Sequence, residues 1–240
     1  VDRAVGLAEQ CVREGLDTVT LGPIIHNRHV VERLHEKGVR EISAPEQARR
    51  GQHVIIRAHG VPERDEAALV SHGAAVIDAT CPFVKKIHKL ARRAAEAGRT
   101  LLIIGTRAHP EVQAIASFCP RTQIFESDEE LESWLSGSPE RRDLPICMVS
   151  QTTGTQKLWE NCCEILKKVC TNHELVDTIC RATEMRQKEA MALSQKCDAM
   201  VVVGDARSAN TAKLAMICSQ ACTKVALVDH AGELDMEFFR

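Results

Sequence analysis

Two cysteines stand in the same local setting. Val76-Ile77-Asp78-Ala79-Thr80-Cys81 and Leu175-Val176-Asp177-Thr178-Ile179-Cys180 are each an apolar run ending in Asp, with Cys three residues later. The next landmarks also match. Ile104-Gly105-Thr106-Arg107-Ala108-His109 and Val203-Gly204-Asp205-Ala206-Arg207-Ser208 each carry a Gly at the end of an apolar run and a polar residue four positions on. The Asp, Cys, Gly and polar landmarks of the two copies are all separated by 99 positions. A further copy opens the chain, where Gly22-Pro23-Ile24-Ile25-His26 puts His26 in the same place. Gly22 precedes Gly105 by 83 positions, so the cysteine matching Cys81 is expected at position −2, just ahead of Val1.

Three thiolates, one per copy, suit a closed structural zinc site poorly, because such a site takes four ligands. They suit a cubane iron–sulfur cluster, normally held by four cysteines, with one iron open to substrate. Taken singly, a buried cysteine is as readily a small hydrophobe. His26, His59 and His109 sit at apolar-run ends ahead of turns or helix starts, where anions are attracted; a lone surface or capping histidine is the structural alternative. His29, His35, His53, His72, His88, His173 and His230 lack that placement. Glu111, in His109-Pro110-Glu111, either complements a helix dipole or, in a desolvated pocket, donates a proton. Thr152, Thr153, Ser208 and Asn210 are short polar groups suited to capping helices or to binding diphosphate oxygens.

These residues need a scaffold that presents run ends together. Thr18–Leu21, Val54–Arg57, Ala75–Asp78, Leu101–Ile104, Ile146–Val149, Leu175–Asp177, Met200–Val203 and Val225–Val228 read as strands buried on both faces. Amphipathic runs alternate with them. The one over Phe83–Ala95 directs Phe83, Val84, Ile87, Leu90 and Ala91 to one side. The pattern predicts an α/β protein with parallel sheets. The repeat divides it into three α/β units, over 1–80, 81–176 and 177–240, in a pseudo-threefold arrangement. Ligands of open parallel sheets bind at the carboxyl ends of the strands, so the landmarks are expected to converge on a central site.

Bulk properties narrow the function. A net charge of −2 and 3% aromatic residues argue against a nucleic-acid surface. No apolar run reaches membrane-spanning length. Eleven cysteines, an odd number with no secretion signal and no Cys-x-x-Cys pair, point to a reduced, cytoplasmic setting.

Gly22-Pro23-Ile24-Ile25-His26-Asn27, Arg57-Ala58-His59-Gly60-Val61, Asp78-Ala79-Thr80-Cys81-Pro82, His109-Pro110-Glu111-Val112, Ser150-Gln151-Thr152-Thr153 and Asp177-Thr178-Ile179-Cys180, with Ala182-Thr183 and Arg186-Gln187, follow in order through the chain. Together they resemble the 4-hydroxy-3-methylbut-2-enyl diphosphate reductase (IspH/LytB) family. The resemblance implies three α/β units around a [4Fe–4S] cluster. It implies reductive loss of the C4 hydroxyl of an allylic diphosphate, giving isopentenyl and dimethylallyl diphosphate at the end of the non-mevalonate pathway. Cys81 and Cys180 are then cluster ligands and Glu111 the proton donor, assisted by Thr152. His26, His59, His109, Thr152, Ser208 and Asn210 hold the substrate. The implied electron donor is a ferredoxin or flavodoxin-type protein.

The chain departs from the family pattern in places. The resemblance places the first cluster cysteine, as an expectation, upstream of Val1, and the late Gly- and Ser-rich loop beyond Arg240. Ser-Ser-Asn is here Ser208-Ala209-Asn210, and Ala114 replaces a frequent Gly. Ala209 favours a second reading, a non-catalytic degenerate homologue or metal-binding sensor. Glu111 and the histidines argue against it, since a cluster carrier needs neither. A nucleotide-binding reading fails on Gly22, Gly105 and Gly204, none of which lies in a Gly-x-Gly-x-x-Gly loop.

Overall fold

The computed structural model describes residues 2–25 and 27–239. The described residues group into two compact bodies, one over 2–25 and 29–178 and one over 27–28 and 179–239.

The first body holds two four-stranded sheets. Strands β1 (Thr18–Leu21), β2 (Arg40–Ile42), β3 (His53–Ile56) and β4 (Ala75–Asp78) are ordered β2-β1-β3-β4. Strands β5 (Thr100–Ile104), β6 (Thr122–Phe125), β7 (Ile146–Ser150) and β8 (His173–Val176) repeat the pattern as β6-β5-β7-β8. Every pair is parallel. The second body holds β9 (Ala199–Val203) and β10 (Lys224–Val228), also parallel. Helix α1 (Asp2–Arg13) precedes β1, and α2 (Arg28–Glu36), α3 (Glu63–Ser71), α4 (Pro82–Glu96), α5 (Pro110–Ser117), α6 (Asp128–Ser136) and α7 (Gln156–Val169) lie between strands of the two larger sheets. Helices α8 (Arg181–Ser194) and α9 (Ala209–Cys218) precede and link β9 and β10. The α/β class with parallel sheets is the one the apolar pattern predicts.

The strand order decides where a ligand can lie. Successive connections run to opposite sides of β1 and of β5, so the crevice of each sheet opens between the loops after β1 and β3, and after β5 and β7. Those loops carry Gly22–Ile25, Arg57–Gly60, Gly105–His109 and Gln151–Thr153. The central strands are buried on both faces. Leu101, Leu102, Ile103 and Ile104 of β5, and Ile146, Cys147, Met148 and Val149 of β7, are all at most 2% exposed. Helix α4 covers one face with Ile87, Leu90, Ala91 and Ala94, packed with Leu101, Ile103, Val112 and Ile115. Truncating Ile103 to Ala there costs about 2–5 kcal/mol.

The structure departs from the sequence pattern at three points. β2 and β6 form although neither reads as an apolar run. Both are edge strands, short and half polar, and edges need little apolar surface. Strand ends shift by one or two residues, as with His53–Ile56 for the expected Val54–Arg57. Phe83 is 54% exposed, not part of the buried face of α4. It lies in the first helical turn, ahead of the turns covered by the core cluster.

Candidate functional site

Glu111 lies in the first turn of α5, beyond the end of β5. Pro110 occupies the first position of α5, where its missing N–H is not needed. His109 is the N-cap, its Nδ1 accepting from the Glu111 N–H at 3.1 Å. Glu111 is 1% exposed. Its Oε1 accepts from the Thr152 backbone N–H and its Oε2 from the Thr152 hydroxyl, both at 2.6 Å. A buried carboxylate is tolerated only with such charge-assisted bonds. Glu111, in the first turn of α5, and Thr152, in the loop after β7, flank the β5/β7 crevice.

Gln151 braces that pair. It is fully buried; its Oε1 accepts from the Thr106 N–H at 3.0 Å, and its Nε2 donates to the Thr153 hydroxyl at 2.8 Å. A side chain at Gly105 would meet Gln151 Cβ at 2.7 Å, so only glycine admits this approach of the two loops. Thr178 continues the brace. Its hydroxyl accepts from Ser150 N–H at 2.8 Å and donates to Ser150 O, closing the end of β7 where the ladder to β8 stops.

The first sheet contributes His59 and Cys81. The His59 ring meets the His109 ring edge-on, with centroids 5.3 Å apart. Cys81 is the N-cap of α4, and its N–H donates to Ala58 O at 2.9 Å, tying it to the His59 loop. Arg3 of α1 holds the same segment, donating to Thr80 O at 3.1 Å and Asp78 O at 3.2 Å. Burial disfavours the Asp78 charge, but hydrogen bonds from Lys85 and Thr80 outweigh it and keep its carboxyl below the ordinary range. Gly60, at φ +75°, leaves room for His88, whose Cε1 lies 2.6 Å from where a Cβ would stand. His88 stacks on Phe118 with centroids 4.5 Å apart, and burial pushes its pKa down to about 4. His26, the equivalent residue after β1, lies outside the described residues.

In the second body Cys180 caps α8 and Ser208 caps α9, its hydroxyl accepting from the Thr211 N–H. Their backbone angles repeat those of the first body. Cys180 stands at φ −68°, ψ 125° against −57°, 134° for Cys81, and Ser208 at −73°, 116° against −72°, 134° for His109. The 99-residue register therefore corresponds to equivalent helix caps. Asp205, 7% exposed, grips Arg207 through both carboxylate oxygens and accepts from its N–H, shaping the turn before Ser208. The buried Asn210 Oδ1 has no hydrogen-bond partner among the described residues.

All eleven cysteines are free thiols. Eight are buried; burial pushes Cys147 and Cys163 up to about 11 and Cys162 up to about 12, which makes them inert at neutral pH. Cys81 and Cys180 are half-buried at strand ends, and Cys197 is exposed in the turn between α8 and β9. Among the described residues no three His, Cys, Asp or Glu side chains stand together as a metal-ion site.

The family model for the LytB protein matches residues 1–240. The chain belongs to the LytB family. A relative from Caldanaerobacter subterraneus subsp. tengcongensis named 4-hydroxy-3-methylbut-2-enyl diphosphate reductase is 38% identical over the whole of this chain and 83% of its own length. One of the same name from Oleidesulfovibrio alaskensis is 40% identical over 93% of this chain and 79% of its own length. The solved structure of the E-1-hydroxy-2-methyl-but-2-enyl-4-diphosphate reductase from Plasmodium falciparum superposes with TM-score 0.92 at 26% identity. It covers all of this chain and 75% of its own. Arg3, His88 and Asp205 of this LytB chain are not legible as site residues in the sequence, and Gln151 is legible only as a member of the Ser150-Gln151-Thr152-Thr153 motif. Each acts through a neighbour distant in sequence or through its own turn. Asp205, directly after a strand-ending Gly, and Gln151, beside Thr152, sit where a landmark search could find them.

Proposed function

We propose that this protein is a 4-hydroxy-3-methylbut-2-enyl diphosphate reductase. It removes the C4 hydroxyl and forms isopentenyl and dimethylallyl diphosphate, the last step of the non-mevalonate pathway. The observation that carries the reading is the buried Glu111 carboxylate held at both oxygens by Thr152, beside the His59–His109 ring pair. A pure cluster carrier has no use for a desolvated acid in a strand-end crevice, so this geometry favours catalysis over the sensor reading.

The stoichiometry is two electrons and two protons per substrate. The C4–O bond breaks, the oxygen leaves as water with one proton, and the allyl carbon takes the other. A protonated Glu111 hands its proton through the 2.6 Å contact to the Thr152 hydroxyl, and Thr152 passes one to the leaving oxygen. His59 and His109, with His26, Ser208 and Asn210, bind the diphosphate, Asn210 through its amide N–H groups. Ala209 retains a backbone N–H where the family has a hydroxyl.

Cys81 and Cys180 are the ligands this stretch of chain offers to a [4Fe–4S] cluster. They suit thiolate ligation because, unlike the eight buried cysteines, they are half-buried at strand ends and open helices. When bound, the cluster supplies the electrons and a Lewis-acidic iron. Two thiolates leave a cubane under-ligated, so a third ligand from elsewhere completes the proposal. Convergence of the three α/β units on one centre, a cytoplasmic setting and a ferredoxin or flavodoxin-type donor are parts of the same reading. No helix among the described residues is long and apolar enough to cross a membrane. The test is anaerobic turnover of the full-length protein with 4-hydroxy-3-methylbut-2-enyl diphosphate and reduced methyl viologen. Formation of both products supports the reading; substrate recovered unchanged from iron-loaded protein refutes it.

A further inference from the structure

Helix α4 begins at Cys81 and is strongly basic on its outer side. Lys85, Lys86, Lys89, Arg92 and Arg93 face a single acid, Glu96, in a chain whose net charge is −2. Three of these cations are neutralised: Lys85 by Asp78, Arg92 by Glu63 and Arg93 by Glu174. Lys86 and Lys89 are exposed and make no ion pair among the described residues. Phe83, 54% exposed, lies one turn before Lys86. The spacing of 83, 86 and 89 places an aromatic and two unpaired cations along one exposed strip. Beside it lies a 240 Å³ hollow lined by Lys85, His88, Lys89, Arg92 and Phe118, with Glu66 and Asp78 its acidic members.

We propose that the Phe83–Lys86–Lys89 strip is the docking surface for a small acidic ferredoxin that delivers the reducing electrons. This rests on the reductase reading, in which Cys81 holds the cluster. Two reduced ferredoxins each give up one electron, and the substrate's C4–O bond takes up the pair with two protons. Electrons cross protein only over short spans, so a donor must dock close to the thiolate. At 1.5 Å of rise per residue, Lys86 and Lys89 stand about 7 and 12 Å along the helix from Cys81. Redox encounters use small interfaces. An exposed aromatic gives such an interface an apolar centre, and unpaired lysines steer an acidic partner without first breaking an ion pair.

The test compares native full-length protein with the Lys86→Glu/Lys89→Glu and Lys86→Gln/Lys89→Gln variants. Reduced ferredoxin or reduced methyl viologen is the donor, and binding of oxidised ferredoxin is followed by titration calorimetry. The proposal expects the charge-reversed variant to raise the KM for ferredoxin about tenfold and to flatten its salt dependence. The neutral variant falls between. Viologen turnover and iron content stay at native values in both. Unchanged ferredoxin KM and affinity would overturn the docking surface. So would equal loss of viologen turnover, which would place the lysines in the chemistry, or charge-dependent binding of DNA or anionic vesicles with ferredoxin unaffected. Absence of viologen turnover in the native protein would count against the reductase reading instead, while the calorimetric arm still reports on docking.

Discussion

Replacing Glu111 by Gln removes a titratable proton while changing the shape of the site very little. The native carboxylate accepts from the Thr152 N–H and hydroxyl, each at 2.6 Å. In the variant the amide oxygen keeps the backbone donor. The amide NH2 then faces the Thr152 hydroxyl, which turns to accept. Two charge-assisted bonds become two neutral ones, each weaker by about 1 kcal/mol. Removing a buried charge offsets much of that loss. The net change in stability is therefore about 0–2 kcal/mol, a shift of a few degrees in Tm for a chain of this size. Turnover behaves differently, because loss of a general acid lowers rates by about 10²–10⁴. The assay is anaerobic single-turnover product formation, with iron content and near-UV circular dichroism as controls on the fold. A variant that turns over within tenfold of native, with normal iron, refutes the assignment of Glu111 as proton donor.

Three further outcomes follow from the same geometry. Thr152→Val strips Oε2 of Glu111 of its hydroxyl partner, costing about 1–3 kcal/mol and most of the turnover, whereas Thr152→Ser restores both; equal activity of the two variants would remove Thr152 from the relay. His88 is held neutral, with a pKa of about 4 against an ordinary 6.5, so the unfolded chain binds more protons between those values and stability falls as pH drops through that window. After allowance for partial exposure the loss is about 1–3 kcal/mol, and the pH dependence of the urea midpoint should flatten in His88→Phe, which keeps the stack on Phe118. Arg3→Ala frees the carbonyls of Asp78 and Thr80, and faster hydrogen exchange at the Cys81 amide, now bonded to Ala58 O, is the expected signature; unchanged exchange would mean α1 does not hold that loop.

Much of the site was legible because it is local. A strand, a glycine and a polar residue four positions on are contiguous in sequence, and the structure turns each such run into a capped helix start. The Asp-to-Cys spacing likewise survives as two equivalent helix caps at Cys81 and Cys180. What the sequence does not show depends on partners far away in the chain. The brace of Gln151 needs Thr106, 45 residues back. The grip of Arg3 needs Thr80, 77 residues on. His88 looked like any helical histidine until Gly60 and Phe118 enclosed it. Edge strands β2 and β6 give no signal in the sequence because a strand with one neighbour needs no unbroken apolar run. Phe83 departs from its periodicity because helical spacing gives the direction of a side chain but not whether anything lies opposite it.

The most direct test of the account is iron and acid-labile sulfide content in anaerobically purified full-length protein, native and with Cys81→Ser, Cys180→Ser or Cys147→Ser. The account predicts about four irons per chain in the native protein and in Cys147→Ser, with loss of the cluster in the other two. Native iron content in Cys81→Ser and Cys180→Ser would contradict it.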